Sequence, residues 1–347
     1  MVVSARTIQR VRNLVLAGLM VTLTGCGAIQ NMMYKTTGDV MKGFAKSHTV
    51  PYMLASDDLA MSCAMAEATS PLMLSFGRVT DDPDQLAVMM NLSAGACAEE
   101  RAWEYELAYM RALRNQNPDN AEDAQIAQKR HLQLASERYL RGWNHLKAHY
   151  GEPGNGECPD FDEDIDEFIY IGGLLSGLQA LNAEIQSTAP VGVPKNIAAK
   201  VARATGCLDD DKWWGVPMAM RATVWALMPG AEPEGEDAFE RLDTADAKGV
   251  EARVRLPHVF HAMAAYNSGD MDMLRDVIRA HAEAIEDEPA DPQWRMVDAM
   301  GTQVIRSISD RLWTENTGHR TPLGGLGTFW DDKAKPVGEA VDLDGIL

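Results

Sequence analysis

Apolar side chains recur every three or four residues from about position 57 to position 313, and no stretch sustains the alternation of a half-buried strand. That periodicity restricts the chain to helices packed on helices. Asp57 reads as an N-cap ahead of Leu59, Ala60, Cys63, Ala64, Ala66 and Ala68. Thr80-Asp81-Asp82-Pro83 breaks the pattern, and Pro83 suits the first position of the next helix. That helix extends to about Arg114, with Leu86, Met90, Ala94, Cys97, Trp103, Leu107 and Met110 on its inner face. A third long helix spans about 121–150 and stops at Gly151-Glu152-Pro153-Gly154-Asn155-Gly156. From Phe161 a fourth carries Ile165, Phe168, Ile169, Gly172, Leu175 and Leu178. Shorter helices are predicted at 196–205, from Asp211 to Met228, and at about 234–247, 252–267, 271–286 and 291–313. The fold class is all-α, an array of antiparallel helical hairpins.

Charge and composition narrow the function. The formal net charge is −19, which argues against nucleic acid as a partner and against an electrostatic grip on anionic lipid. Aromatic residues make up only 7% of the chain while Ala, Leu and Met abound, which favours helix over sheet. No Gly-x-Ser-x-Gly, phosphate loop, dinucleotide fingerprint or Cys-x-x-Cys pair occurs, so the chain reads as a non-enzyme that needs no cofactor.

The N-terminus has a different character. Arg6, Arg10 and Arg12 precede a short apolar run from Leu14 to Leu23, the layout of a secretory signal and too short to span a bilayer. Leu23-Thr24-Gly25-Cys26 resembles the lipobox of bacterial lipoproteins. The resemblance implies cleavage before Cys26 and acylation of that residue, giving a membrane anchor through several acyl chains. Gly27, in place of the Asp that retains such lipoproteins in the inner membrane, implies an outer-membrane anchor facing the periplasm. The layout is then a signal at 1–25, a lipidated anchor and spacer with one short helix at 26–55, a helical-repeat domain at 56–313, and an extended or disordered tail at 314–347.

An oxidising compartment makes the four cysteines after Cys26 candidates for disulfides. Cys63 and Cys97 lie equally far on either side of position 80, the centre of the first break. The two arms of an antiparallel hairpin bring them level, so they are predicted to pair. Cys158 and Cys207 flank helices of unequal length and are left unassigned.

The run Ala264-Ala265-Tyr266-Asn267-Ser268-Gly269-Asp270, followed by Leu274, Val277, Ile278, Ala280, Ala284 and Pro289, resembles a tetratricopeptide repeat. Three further patterns make the chain similar to the T-component (TatT) lipoproteins of TRAP transporters. They are Ala135-Ser136-Glu137-Arg138-Tyr139-Leu140-Arg141-Gly142, Asp210-Asp211-Lys212-Trp213-Trp214-Gly215 leading to Pro229-Gly230, and Ala238-Phe239 before the hairpin at 252–286. That similarity implies a periplasmic tetratricopeptide-like α-solenoid, a homotrimer with a central pore, and partnership with a solute-binding protein that handles an organic-acid or apolar ligand. The alternative is a general envelope scaffold without a small ligand.

Five residues are the predicted ligand or partner surface. Gly172, Gly173 and Gly177 remove side-chain bulk from one helix and admit something close to its backbone. Trp213 and Trp214 open a later helix, where one could enter the core and the other face a groove. Met61, Met65, Met73, Met89 and Met90 could line an adaptable cavity, although filling gaps between helices is the plainer role. The acidic run from Asp160 to Glu167 lacks the Gly and Glu positions of a calcium loop and suits a helix N-terminus. His145 with His149, and His258 with His261, share helix faces. With no HExxH and no obvious flanking carboxylate, they are read as structural histidines, and no metal site is assigned.

Overall fold

The computed structural model describes residues 30–80 and 83–333, and the described residues are helical with no strand. The signal, Cys26, Gly27 and the end of the tail from 334 lie outside them. Among the described residues, no helix is long and apolar enough to cross a membrane.

Ten helices follow the predicted breaks. They are α1 Leu59–Phe76, α2 Asp84–Arg114, α3 Pro118–Tyr150, α4 Asp164–Ser187, α5 Ile197–Ala204, α6 Val216–Leu227, α7 Ala238–Ala252, α8 Pro257–Ser268, α9 Met271–Asp287 and α10 Arg295–Thr317. Capping explains most starts. Asp58, one residue later than predicted, accepts the Met61 amide at 2.9 Å, and Asn117 accepts that of Asn120 at 3.1 Å. Asp270 accepts the Met273 amide at 2.9 Å, after Gly269 has closed α8 at φ 79°. At α4, Glu163 and Asp166 form a reciprocal capping box, which accounts for part of the acidic run.

The stretch read as a spacer is more ordered than predicted. Backbone over 30–54 is helical, with a π turn at Ala45–Thr49 ahead of Val50–Leu54. Lys46 holds it to the start of α4 through Asp166 at 2.8 Å and Glu163 at 3.1 Å. At the other end, α10 continues past the predicted boundary to Thr317. Residues 318–333 then lie along α9 and α10. Phe329 is buried beneath Arg275 and Arg279, and Trp313 Nε1 donates to the Thr328 carbonyl at 3.0 Å.

Helices α2, α3 and α4 pack on one another, and α6 to α9 form successive neighbours beyond them. The array then closes on itself, because α10 returns to α2. Arg311 pairs with Glu106 at 3.2 Å, and Arg114 donates to the Asn316 carbonyl at 3.1 Å. Two disulfides reinforce the array. Cys63 and Cys97 join α1 to α2 with Cα atoms 5.6 Å apart, and Cys158 and Cys207 join at 5.3 Å. Closing a loop of the first pair's length stabilises by roughly 3 kcal/mol through loop-closure entropy.

The Ala135–Gly142 pattern is a clamp between helices. Ser136 Oγ donates to the Ala180 carbonyl at 2.9 Å. Arg138 Nη1 reaches both Glu67 Oε1 at 2.7 Å and the Ala94 carbonyl at 2.6 Å. Arg101, and after it Arg138, hold the Glu67 carboxyl down at about 2, so it stays ionised and ties α1 to α2 and α3.

Candidate functional site

Closure of the array leaves an apolar space between the N-terminal hairpins and the later helices. It has two lobes of about 500 and 530 Å³. Leu92, Leu175, Leu256, Met296 and Met300 border both, and so form the wall between them. The lobe beneath the leading helix is lined by Met41, Met53, Met65, Met73, Met89 and Met90, with Phe168 and Ile171 behind them. Unbranched thioether side chains adapt to ligands of varied shape at low cost.

The other lobe holds a buried acid among its polar groups. Glu99 on α2 is 4% exposed. Its Oε2 accepts from the Tyr139 hydroxyl at 2.7 Å and from Gln179 Nε2 at 3.3 Å. Burial pushes the Glu99 carboxyl up to about 7, and the Tyr139 hydrogen bond opposes that shift. Tyr139 itself is pushed well above the usual phenol range, first by burial and then by the neighbouring carboxylate. Asn182 and Gln303 also border this lobe, and the half-exposed Leu227 and exposed Ile185 mark its apolar margin.

Glu99 binds its proton more tightly in the folded state than in the unfolded one. The resulting stabilisation is complete below about pH 4.5, is lost as pH rises towards about 7, and is constant above that. Glu99→Gln is therefore expected to gain on the parent protein by on the order of 3 kcal/mol between pH 4 and pH 8. Urea denaturation at pH 4, 5.5 and 8 checks this. A parent-to-variant difference that does not change with pH would show that Glu99 ionises normally.

The predicted surface residues take different places. Trp213 and Trp214 are buried, at 2% and 8% exposure, against Phe168 and Trp294. They do not open a helix, since α6 begins only at Val216. They lie in the turn before it, with Trp214 at φ 55° and Gly215 at φ 80°. Both rings pack among neighbouring aromatics, and both also border a separate pocket of about 480 Å³ with Lys46, Glu163, Asp164 and Lys212. Gly215 is required in the turn, because a Cβ would meet the Ala245 carbonyl oxygen at 2.7 Å.

The three glycines admit neighbouring side chains. Gly173 faces Leu146 and Gly177 faces Trp143, both from α3. Gly172 faces Met89 and Leu92 of α2 and is the member of the three that lines the cavity. Met65, Met73, Met89 and Met90 do line it, whereas Met61 is exposed. Glu99 was missed in the sequence because one acid on a long helix gives no periodic signal of burial.

The histidine pairs also separate. His145 Nδ1 meets Asp84 Oδ1 at 2.6 Å. His258 and His261 are buried, and Asp243 and Asp246 of α7 stand beside them, carboxylates that no local spacing around the pair could reveal.

Comparison with protein-family models, with curated proteins and with solved structures finds no match to this chain. The cavity's own chemistry is therefore what defines a class: a helical array enclosing a methionine-rich apolar space with one buried acid.

Proposed function

We propose that the protein binds an elongated, largely apolar ligand bearing one polar group, as a lipid-anchored periplasmic accessory of a solute uptake system. The observation that carries the reading is the pair of adjoining apolar lobes, one of them lined by Glu99, Tyr139 and Gln179. Its volume and its sparse polar groups suit a ligand-binding pocket, where apolar walls supply affinity and a few polar atoms fix orientation. Both recorded hydrogen bonds of Glu99 go to one oxygen, which leaves the other as the contact for a ligand's polar group. The Leu23-Thr24-Gly25-Cys26 sequence supports an acyl anchor at Cys26, and with Gly27 supports the periplasmic face of the outer membrane. The similarity to TatT lipoproteins supports a TRAP-type solute-binding protein as partner and a homotrimer as assembly. A scaffold without a small ligand would have no use for an apolar space of this size.

The test is binding of a fluorescent long-chain fatty acid to the full chain, compared with Ser93→Trp. Ser93 borders both lobes, so an indole there takes up space at the wall they share. Overpacking costs about 1–3 kcal/mol, which the closed and cross-linked array should tolerate. The expected result is saturable binding by the parent and a loss of roughly tenfold or more in the variant, about 1.4 kcal/mol. No saturable binding by the parent, or equal binding by a folded variant, overturns the assignment.

A further inference from the structure

Helices α7 and α8 carry a group of side chains that the ligand cavity does not use. On the face of α8 that lines the cavity are Val259, Phe260 and Met263. On another face of the same helix, His258 and His261 look towards Asp243 and Asp246 of α7. His261 Nδ1 is hydrogen-bonded to Asp246 Oδ2 at 2.7 Å and lies 3.9 Å from Asp243 Oδ1, while His258 Nε2 lies 4.0 Å from Asp246 Oδ2. One ligand atom from each of Asp243, Asp246 and His261 falls within 4.8 Å of the others. Donors around a tetrahedral zinc ion stand roughly 3.3 Å apart, so the observed separations bracket what such an ion needs.

Two more observations point the same way. His261 is 3% exposed, and its Nε2 and the Asp246 Oδ1 atom are buried with no hydrogen-bond partner among the described residues. Buried polar atoms are ordinarily satisfied, so Asp246 Oδ1 is a carboxylate oxygen still open to a ligand, while His261 Nε2 is not the nitrogen that approaches the two carboxylates.

The second observation is a hydrogen-bond chain that sets the His258 tautomer. Thr302 Oγ1 donates to the Asp298 carbonyl at 2.9 Å and so accepts from His281 Nε2 at 3.2 Å. With one proton on each imidazole, that of His281 sits on Nε2. His281 Nδ1 is then an acceptor, and His258 Nδ1 donates to it at 3.1 Å. The lone pair of His258 therefore sits on Nε2, the nitrogen turned towards Asp246. An imidazole oriented by a hydrogen bond on its far nitrogen is the usual preparation of a metal ligand.

We propose that Asp243, Asp246 and His261, with His258 beside them, bind a divalent transition metal of the zinc class, which staples α7 to α8 behind the cavity wall. Two carboxylates balance the charge of such an ion, and imidazole selects it over calcium or magnesium, which prefer oxygen donors. The three clustered donors leave the fourth tetrahedral position to His258 or to water. The Asp243 side chain is 76% exposed and gives the ion its way in.

The experiment strips the full chain with a chelator and titrates it with Co²⁺, whose tetrahedral complexes absorb in the visible, and then displaces the cobalt with Zn²⁺. The expected result is one equivalent bound, a visible tetrahedral band, and a melting temperature that rises with metal. Asp243→Asn, at an exposed position, should fold as the parent does in chelator, bind roughly tenfold or more weakly, and lose the thermal gain. His261→Gln should abolish the band. His145→Ala with His149→Ala should keep it, since that pair lies elsewhere. No tetrahedral band in the parent, or equal metal affinity in Asp243→Asn, overturns the proposal, whatever the cavity binds.

Discussion

Trp213→Ala is expected to lower the stability of the folded chain by about 3–5 kcal/mol, the range for truncating a core aromatic. Trp213 packs edge-on to Trp214 with ring centroids 5.5 Å apart and to Trp294 at 5.9 Å, and it lies 6.0 Å from Phe168. Its Nε1 donates to Glu167 Oε2 at 2.6 Å, a charge-assisted bond that the substitution also removes. The cluster joins α4, the turn before α6 and the start of α10, so the cavity left by Ala opens where three elements meet and none can collapse alone. Denaturation by urea, followed by circular dichroism, measures the loss. Retention of fatty-acid binding under native conditions is expected, because Trp213 does not border either lobe. A loss below about 1 kcal/mol would mean that the ring is not a core residue and would restore it as a candidate contact.

The helical array was legible because long periodic segments with sharp breaks state their own structure. The breaks at 80–83, 115–117 and 151–163 each fall where a helix ends and the next begins. The pairing of Cys63 with Cys97 followed from simple counting, since two regular helices leaving one turn rise equally. Cys158 and Cys207 could not be assigned that way because Cys158 lies in irregular chain and Cys207 ends a single 3-10 turn, so no pair of long helices sets their levels. Trp213 and Trp214 were misplaced by extending α6 backwards over a turn. The residues Lys212 to Gly215 are apolar enough to pass for a first helical turn, and only the left-handed backbone at Trp214 and Gly215 separates the two.

The functional site was harder, for a physical reason. The glycines drew attention because a missing side chain leaves space, but in a close-packed interior that space goes first to the nearest helix. Leu146 and Trp143 fill it at Gly173 and Gly177. The space that stays open is set by how the ends of the array meet, through α10 and α2, a long-range closure with no local signature. The same holds for Asp243 and Asp246, which lie on a different helix from the histidines they approach.

Asp298→Ala tests what holds the wall between the lobes. Asp298 lies on α10 between Met296 and Met300, and its partner Arg255 directly precedes Leu256; those three neighbours border both lobes. Asp298 Oδ1 accepts the Arg255 amide at 2.8 Å and Oδ2 accepts from Nη1 at 2.9 Å, while Nη2 donates to the Ala284 and Glu288 carbonyls. Arg255 is 1% exposed, so removing Asp298 strands a guanidinium in the core at an expected cost of about 3–5 kcal/mol. The wall should loosen with it, weakening fatty-acid binding even under conditions where the variant stays folded. The pair itself need not be strongly stabilising, because desolvating two charges offsets most of their attraction. Replacing both at once, by Arg255→Met with Asp298→Leu, should accordingly recover much of the stability lost in Asp298→Ala. Its ligand affinity then separates two roles. Recovered stability with weakened binding would identify the ion pair as the device that sets the spacing of Leu256 against Met296 and Met300. Additive losses in the double-mutant cycle would instead show that the two side chains act independently, and the wall would owe its shape to packing alone.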